Sequence, residues 1–189
     1  MNYPTGTKKI LSNRITTYNN RGMALENEIN ISNEYYKEID KAHIYKKPTP
    51  IKITKVDYPS RDKAIIKEAF FTTPSTTDYN GIYKGKYIDF EAKETKSNTS
   101  FALTNIHEHQ IKHLESIKKH QGIAFLIVRF TNLNETYILM IDELLKFIEK
   151  NVRKSIPIEY FRENGHLIKD GYIPRIDYLK VIDKIIGGK

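Results

Sequence analysis

The sequence predicts an α/β fold: a mixed central β-sheet flanked by helices, with one basic β-ribbon projecting from it. Three observations carry that expectation. IAFLIVRF, Ile123–Phe130, is an almost unbroken apolar run, the pattern of a strand covered on both faces. Segments with apolar side chains at helical spacing lie before and after it. A β-rich run over 41–56 is interrupted by Pro48 and Pro50 and joined to a second by a turn cluster, which suits an edge or a protruding ribbon, not the middle of a sheet.

Taken in order, residues 1–19 are polar, with few apolar anchors, and read as a flexible basic arm. A single domain is expected over 20–189. A helix is expected from about Asn20 to Ile39, with Leu25, Ile29, Tyr36 and Ile39 near one face. Residues 41–56 form the first ribbon run. Pro, Ser and Asp cluster in Asp57–Ala64, a turn signal, and IIKEAFFTT returns. Together these pieces make two basic arms joined by a short tip. A hairpin follows over Thr76–Lys96. A helix is expected from about Asn105 to His120, with Ile111, Leu114 and Ile117 inward and Gly122 as its stop. The central strand Ile123–Phe130 turns at TNLNE into a neighbour at Thr136–Ile141, and Asp142 is placed to cap the helix ELLKFIEKN. The C-terminal part, with Gly165, Gly171 and Pro174, reads as looser, closing in a short helix near Asp177–Ile185.

The 189 residues contain no cysteine, which excludes disulfide and Cys-based zinc frameworks, and carry a net charge of +8. Nothing approaches a run of about 18 apolar residues and the N-terminus has no apolar signal region, so the reading is cytoplasmic, nucleoid-associated and without a membrane partner. Eight cations against two anions fall between Lys41 and Lys67. That concentration makes nucleic acid the leading partner, with Lys46, Lys47, Arg61, Lys63 and Lys67 as candidate phosphate contacts. Phe70 and Phe71 are adjacent, so in a strand they face opposite ways. Phe71 is the candidate wedge against exposed bases. His109 and His113 have the i,i+4 spacing of a helical zinc pair, but no third ligand or cysteine accompanies them, so solvated helix residues near DNA are the better account.

The chemistry concentrates in the hairpin. With Lys84-Gly85 as a two-residue loop, Tyr83 pairs with Lys86, Asp78 falls opposite Glu91, and Thr76 opposite Lys93. Directly opposed like charges are unfavourable in an ordinary sheet, and a divalent cation between them reverses the sign. Strand parity puts Tyr87, Asp89, Glu91 and Lys93 on one face and Ile88, Phe90 and Ala92 on the other. Lys93 beside two metal-binding carboxylates can stabilise charge developing on a phosphate, whereas Asp89, further along the strand, fits a secondary or structural role. The residues alone leave open a surface ion pair at Glu91-x-Lys93 and a metal-dependent site acting on nucleic-acid phosphate.

STTDYNGIYKG and YIDFEAKETK, together with NRGMALE, KKPTP, YPSR, IKEA, HEHQIKHL and GYIPRIDY, resemble the RecU Holliday junction resolvases of low-GC Gram-positive bacteria and mycoplasmas. The match runs in order along nearly the whole chain. The resemblance implies a PD-(D/E)xK, restriction-endonuclease-like nuclease core, in which the ribbon, an insertion at about 50–74, is a stalk entering the centre of a four-way DNA junction; a duplex-cutting nuclease of the same fold and a non-catalytic DNA-binding or recombinase-regulating module are the alternatives. It implies a homodimer nicking two opposing strands with Mg²⁺ or Mn²⁺ during recombination and repair, and an influence on a RecA-type recombinase. It places the metal ligands on Thr76, Asp78, Glu91 and Gln110, makes Asp78, Glu91 and Lys93 the catalytic set with Lys93 as transition-state stabiliser, and adds Arg21 to the DNA contacts. The Pro-Asp pair of the fold's name is absent, since Asp78 follows Thr77.

Overall fold

The computed structural model describes residues 25–60, 62–72, 76–150 and 152–187. The basic arm over 1–19, Arg21 and Arg61 lie outside the described residues. The strands are β1 His43–Lys46, β2 Ile51–Ser60, β3 Lys63–Phe71, β4 Tyr79–Tyr83, β5 Lys86–Thr95, β6 Ser100–Ala102, β7 Ile123–Phe130, β8 Glu135–Met140, β9 Ser155–Pro157 and β10 His166–Ile168. The helices are α1 Leu25–Glu38, α2 Glu108–Lys119, α3 Ile141–Lys150, α4 Ile158–Asn164 and α5 Tyr178–Gly187.

Six strands form the central sheet, in the order β1-β4-β5-β7-β8-β10. Its pairs are antiparallel except β5 with β7, which run parallel. A parallel neighbour needs a crossover, and α2 lies within it. All eight residues of β7 are buried, because helices cover both of its faces. Leu25, Ile29 and Tyr36 of α1 and Tyr178, Leu179 and Ile182 of α5 pack on one face. Leu114 of α2, Leu144 and Phe147 of α3 and Phe161 of α4 pack on the other. The mixed sheet flanked by helices is therefore as the sequence predicts.

On the α1 face, Tyr79, Phe90 and Phe125 are cross-strand partners, and their rings stack at 4.9 and 4.8 Å with nearly parallel planes. This column clamps β4, β5 and β7 in one register. The Lys84-Gly85 turn agrees with it: both residues have positive φ, 49° and 72°, as the tight hairpin turn requires. Beyond the sheet's end, buried Glu28 of α1 pairs with Arg129 of β7 and with Arg175, 3.1 Å away, tying helix, sheet and C-terminal segment together.

The structure departs from the expectations in several places. Helix α1 ends at Glu38, and Asp40 turns with φ 58°, so Ile39 is exposed instead of facing the core. Asp142 does not cap α3; the helix begins one residue earlier at Ile141, and the Asp142 carboxylate pairs with Lys118 of α2 at 2.7 Å. The C-terminal part is less loose than its glycines imply, holding β9, α4 and the edge strand β10. No helix among the described residues is long and apolar enough to cross a membrane.

The ribbon is β2 paired with β3, separate from the central sheet and with its register broken at three places. Nearly every residue in it is exposed. Phe70 and Phe71 do not divide between inside and outside: both are exposed, Phe71 to 83%.

Strand β4 meets β1 closely at Gly81, where a Cβ would lie 2.1 Å from the His43 carbonyl oxygen. Backbone cannot swing aside as a flexible side chain can. We expect Gly81→Ala to lower unfolding free energy by about 2–4 kcal/mol in urea titration; a change within about 0.5 kcal/mol would show that β1 is not held against β4 as described.

Candidate active site

The register of β4 on β5 pairs Tyr79 with Phe90 and Tyr83 with Lys86, the alignment expected for a two-residue loop. Asp78, one residue before β4, therefore reaches Glu91. The Asp78 backbone N–H donates to Glu91 Oε2 at 3.0 Å, and Asp78 Oδ2 accepts the Ala92 N–H at 3.3 Å. Glu91 is fully buried, with Leu126 of β7 as its neighbour in register. The Lys93 ammonium stands 2.5 Å from Glu91 Oε1. Asp78, Glu91 and Lys93 are thus brought together on the face of β5 toward α2, while Ile88, Phe90 and Ala92 enter the opposite core.

Burial pushes the Glu91 carboxyl up to about 7, and the Asp78 charge adds to the rise; Lys93 opposes both. Desolvation and a like charge disfavour the ionised form, and a divalent cation would relieve both. Glu91 Oε1 is buried and makes no hydrogen bond of normal geometry. Two adjacent carboxylates fit Mg²⁺, which usually takes one or two carboxylates and fills its other positions with water or phosphate oxygens. Among the described residues no cluster of three His, Cys, Asp or Glu side chains forms a fuller cage.

Gln110 lies in the first turn of α2 and is buried. Its Oε1 accepts the His107 N–H at 3.0 Å, closing the helix start. A carbonyl oxygen has a second lone pair, so this bond leaves room for a further partner. Thr76 is half-buried, two residues before Asp78.

The proposed DNA contacts separate by position. Lys63, at the ribbon tip, is exposed. Lys67 pairs with Asp57 across the ribbon at 3.6 Å, and Lys46 with Glu26 of α1. Lys47 turns inward: its ammonium lies 2.8 Å from Asp89 Oδ2 and 2.9 Å from Thr77 Oγ1. Asp89 is the residue for which its place further along the strand suggested a secondary or structural role. It is fully buried, and besides Lys47 its carboxylate meets the hydroxyls of Thr77 and Tyr87 and Nε2 of His113. The shared parity of Tyr87 and Asp89 was the available signal. His113, expected to be a solvated helix residue, is a carboxylate partner.

The chain matches the family model described as RecU, Recombination protein U, over residues 20–184. It is 56% identical over 171 residues to the Holliday junction resolvase RecU of Geobacillus sp. (strain WCH70), spanning 89% of this chain and 85% of that one. Identity to the Holliday junction resolvase RecU of Staphylococcus carnosus (strain TM300) is 51% over 201 aligned positions, spanning 98% and 96%. Among solved structures, the Holliday junction resolvase Hjc of Archaeoglobus fulgidus aligns with a TM-score of 0.42 at 10% identity, covering 73% of this chain and 93% of that one.

The raised proton affinity of Glu91 has a stability consequence. The folded state holds this proton more tightly than the unfolded chain, whose carboxyl titrates near 4.5. Stability is therefore lost as pH rises through the interval from 4.5 to about 7. Glu91→Gln has no such loss. Without metal, we expect the variant to gain on the wild type by on the order of 2 kcal/mol between pH 5 and pH 8, measured by urea unfolding in EDTA. An equal gap at both pH values would count against the buried carboxylate pair.

Proposed function

The chain belongs to the RecU family, and on that premise we propose that it is an endonuclease resolving Holliday junctions, with Asp78, Glu91 and Lys93 as its catalytic set. The observation that carries this reading is the convergence of those three side chains on one face of β5, in a chain half identical to named resolvases along most of its length.

Mg²⁺ or Mn²⁺ held by Asp78 and Glu91, with Thr76 and Gln110 as the further ligands that the family resemblance implies, would supply a Lewis acid that polarises the scissile phosphate. The chain's own residues do the rest. The Asp78 and Ala92 amide N–H groups hold the two carboxylates in place, so little reorganisation is needed when substrate arrives. Lys93 is positioned to compensate negative charge as it develops on the phosphate oxygens. Its exposure is intermediate, consistent with reach toward a bound strand.

The ribbon supports the choice of substrate. It presents Lys63 at its tip and leaves the ring of Phe71 exposed at its foot. Phosphate contacts give affinity without base sequence, and a projecting arm can sense a shape that linear duplex lacks. Two opposing strands must be cut, and a two-fold dimer places two such sites on a nearly two-fold junction.

One gel decides most of this: a labelled four-way junction and a matched linear duplex, each with and without Mg²⁺ or Mn²⁺. We expect paired nicks in the junction only with metal, and Asp78→Ala and Glu91→Ala to bind the junction but leave it uncut; full cleavage by Glu91→Ala would overturn the site. Deletion of residues 60–64 is expected to weaken junction binding by about tenfold or more and duplex binding less. Equal losses on both substrates would remove the ribbon from junction selection.

A further inference from the structure

We infer that Asp89 is a positioning residue that fastens both feet of the ribbon to the strand bearing Glu91, and that Lys47 acts through it, not on DNA. The inference rests on the resolvase reading above for its kinetic consequence, but on geometry for its substance.

Four segments meet at this one carboxylate. Asp89 lies on β5, two residues from Glu91 on the same face. Lys47 lies between β1 and the proline-bounded start of β2, so it is the foot of the outgoing ribbon strand. Thr77 follows the last residue of β3 by six positions, so it belongs to the returning foot, and its neighbour is Asp78. His113 comes from α2, the helix that also carries Gln110. Lys47 Nζ bridges Asp89 and Thr77 at 2.8 and 2.9 Å, and the Thr77 hydroxyl donates to Asp89, closing a triangle. His113 Nε2 stands 3.1 Å from Asp89 Oδ2, and the Tyr87 hydroxyl 3.2 Å. The backbone continues the fastening: the Lys47 N–H donates to the Asp78 carbonyl at 2.8 Å.

This arrangement is not an ordinary surface ion pair. Asp89 has no exposed surface and the Lys47 side chain is only 17% exposed. A buried carboxylate demands a paired cation, so Lys47 is committed to Asp89 and is not free to meet a phosphate. A shift of either foot moves Lys47 or Thr77, and with them the carbonyl and carboxylate of Asp78. Catalytic groups misplaced by about 1 Å can lose a hundredfold in rate. The ribbon and the catalytic carboxylates are therefore one mechanical unit joined at Asp89.

The test uses the full-length chain with Lys47→Gln, Asp89→Asn, the double variant and Thr77→Val, the last of which removes a donor without stranding a charge. Three quantities are read: junction affinity in Ca²⁺, single-turnover cleavage at saturating junction in Mg²⁺, and amide hydrogen exchange at Lys47 and Asp78 with neither DNA nor metal. We expect each single variant to slow cleavage by about tenfold or more while junction affinity stays within about threefold of wild type. Exchange at the two amides should speed up. The double variant, with its two neutral amides facing each other, should be no slower than the slower single variant. Weaker junction binding with undiminished turnover in Lys47→Gln would make Lys47 a phosphate contact and overturn the inference. So would unchanged exchange at Lys47 and Asp78 in Asp89→Asn and Thr77→Val. A wild-type protein that cuts no junction would instead defeat the resolvase reading, and the exchange measurement would still decide whether Asp89 fastens the ribbon.

Discussion

The register of β4 on β5 is the constraint on which everything else depends. Side chains alternate along a strand, so a slip of one residue would carry Glu91 into the α1 core and bring Phe90 to the site. Two devices forbid that slip. The positive-φ pair Lys84-Gly85 admits only a tight turn, and the stacked rings of Tyr79, Phe90 and Phe125 lock three strands at once from the opposite face. The acidic pair is positioned from behind, by aromatic packing that never touches it.

That positioning is achieved against the electrostatic preference of the chain. Glu91 is buried beside a second carboxylate, an arrangement that the folded protein on its own resists. The core absorbs the cost: β7 is buried along its whole length and pairs with β5 through eight residues in unbroken register. The site is thus a strained corner on a rigid wall, and the strain is of the sign that a cation relieves.

The sequence revealed what is local. The hairpin, its register and its two faces follow from a two-residue turn and a period of two. The ribbon was visible because Pro48 and Pro50 break it from the sheet and Asp57–Ala64 turns it back. What stayed hidden is non-local. Strand β10 is three residues long and exists because β8 offers it an edge; β9 likewise depends on β6, more than fifty positions earlier. Within the site, Asp78, Glu91 and Lys93 were legible as one hairpin's chemistry. The partners that Asp89 gathers were not, because Lys47, His113 and Thr77 stand 42, 24 and 12 residues away from it. A lysine in a basic stretch gives no sign that it points inward, and Lys47 does.

The bareness of the ribbon bears on how the protein survives in solution. Ile51, Ile53, Ile65, Ile66, Phe70 and Phe71 are all exposed on it, and a two-stranded ribbon leaves both outer backbone edges unpaired. Such an edge is a template for any other extended chain, the usual start of aggregation. Lys52, Lys55 and Lys63 along the same strands act as gatekeepers by mutual repulsion. That protection is screened by salt, since the Debye length shrinks to about 3 Å at molar ionic strength. Conditions salty enough to strip nucleic acid from this basic chain are therefore the ones in which its ribbon is most prone to self-association.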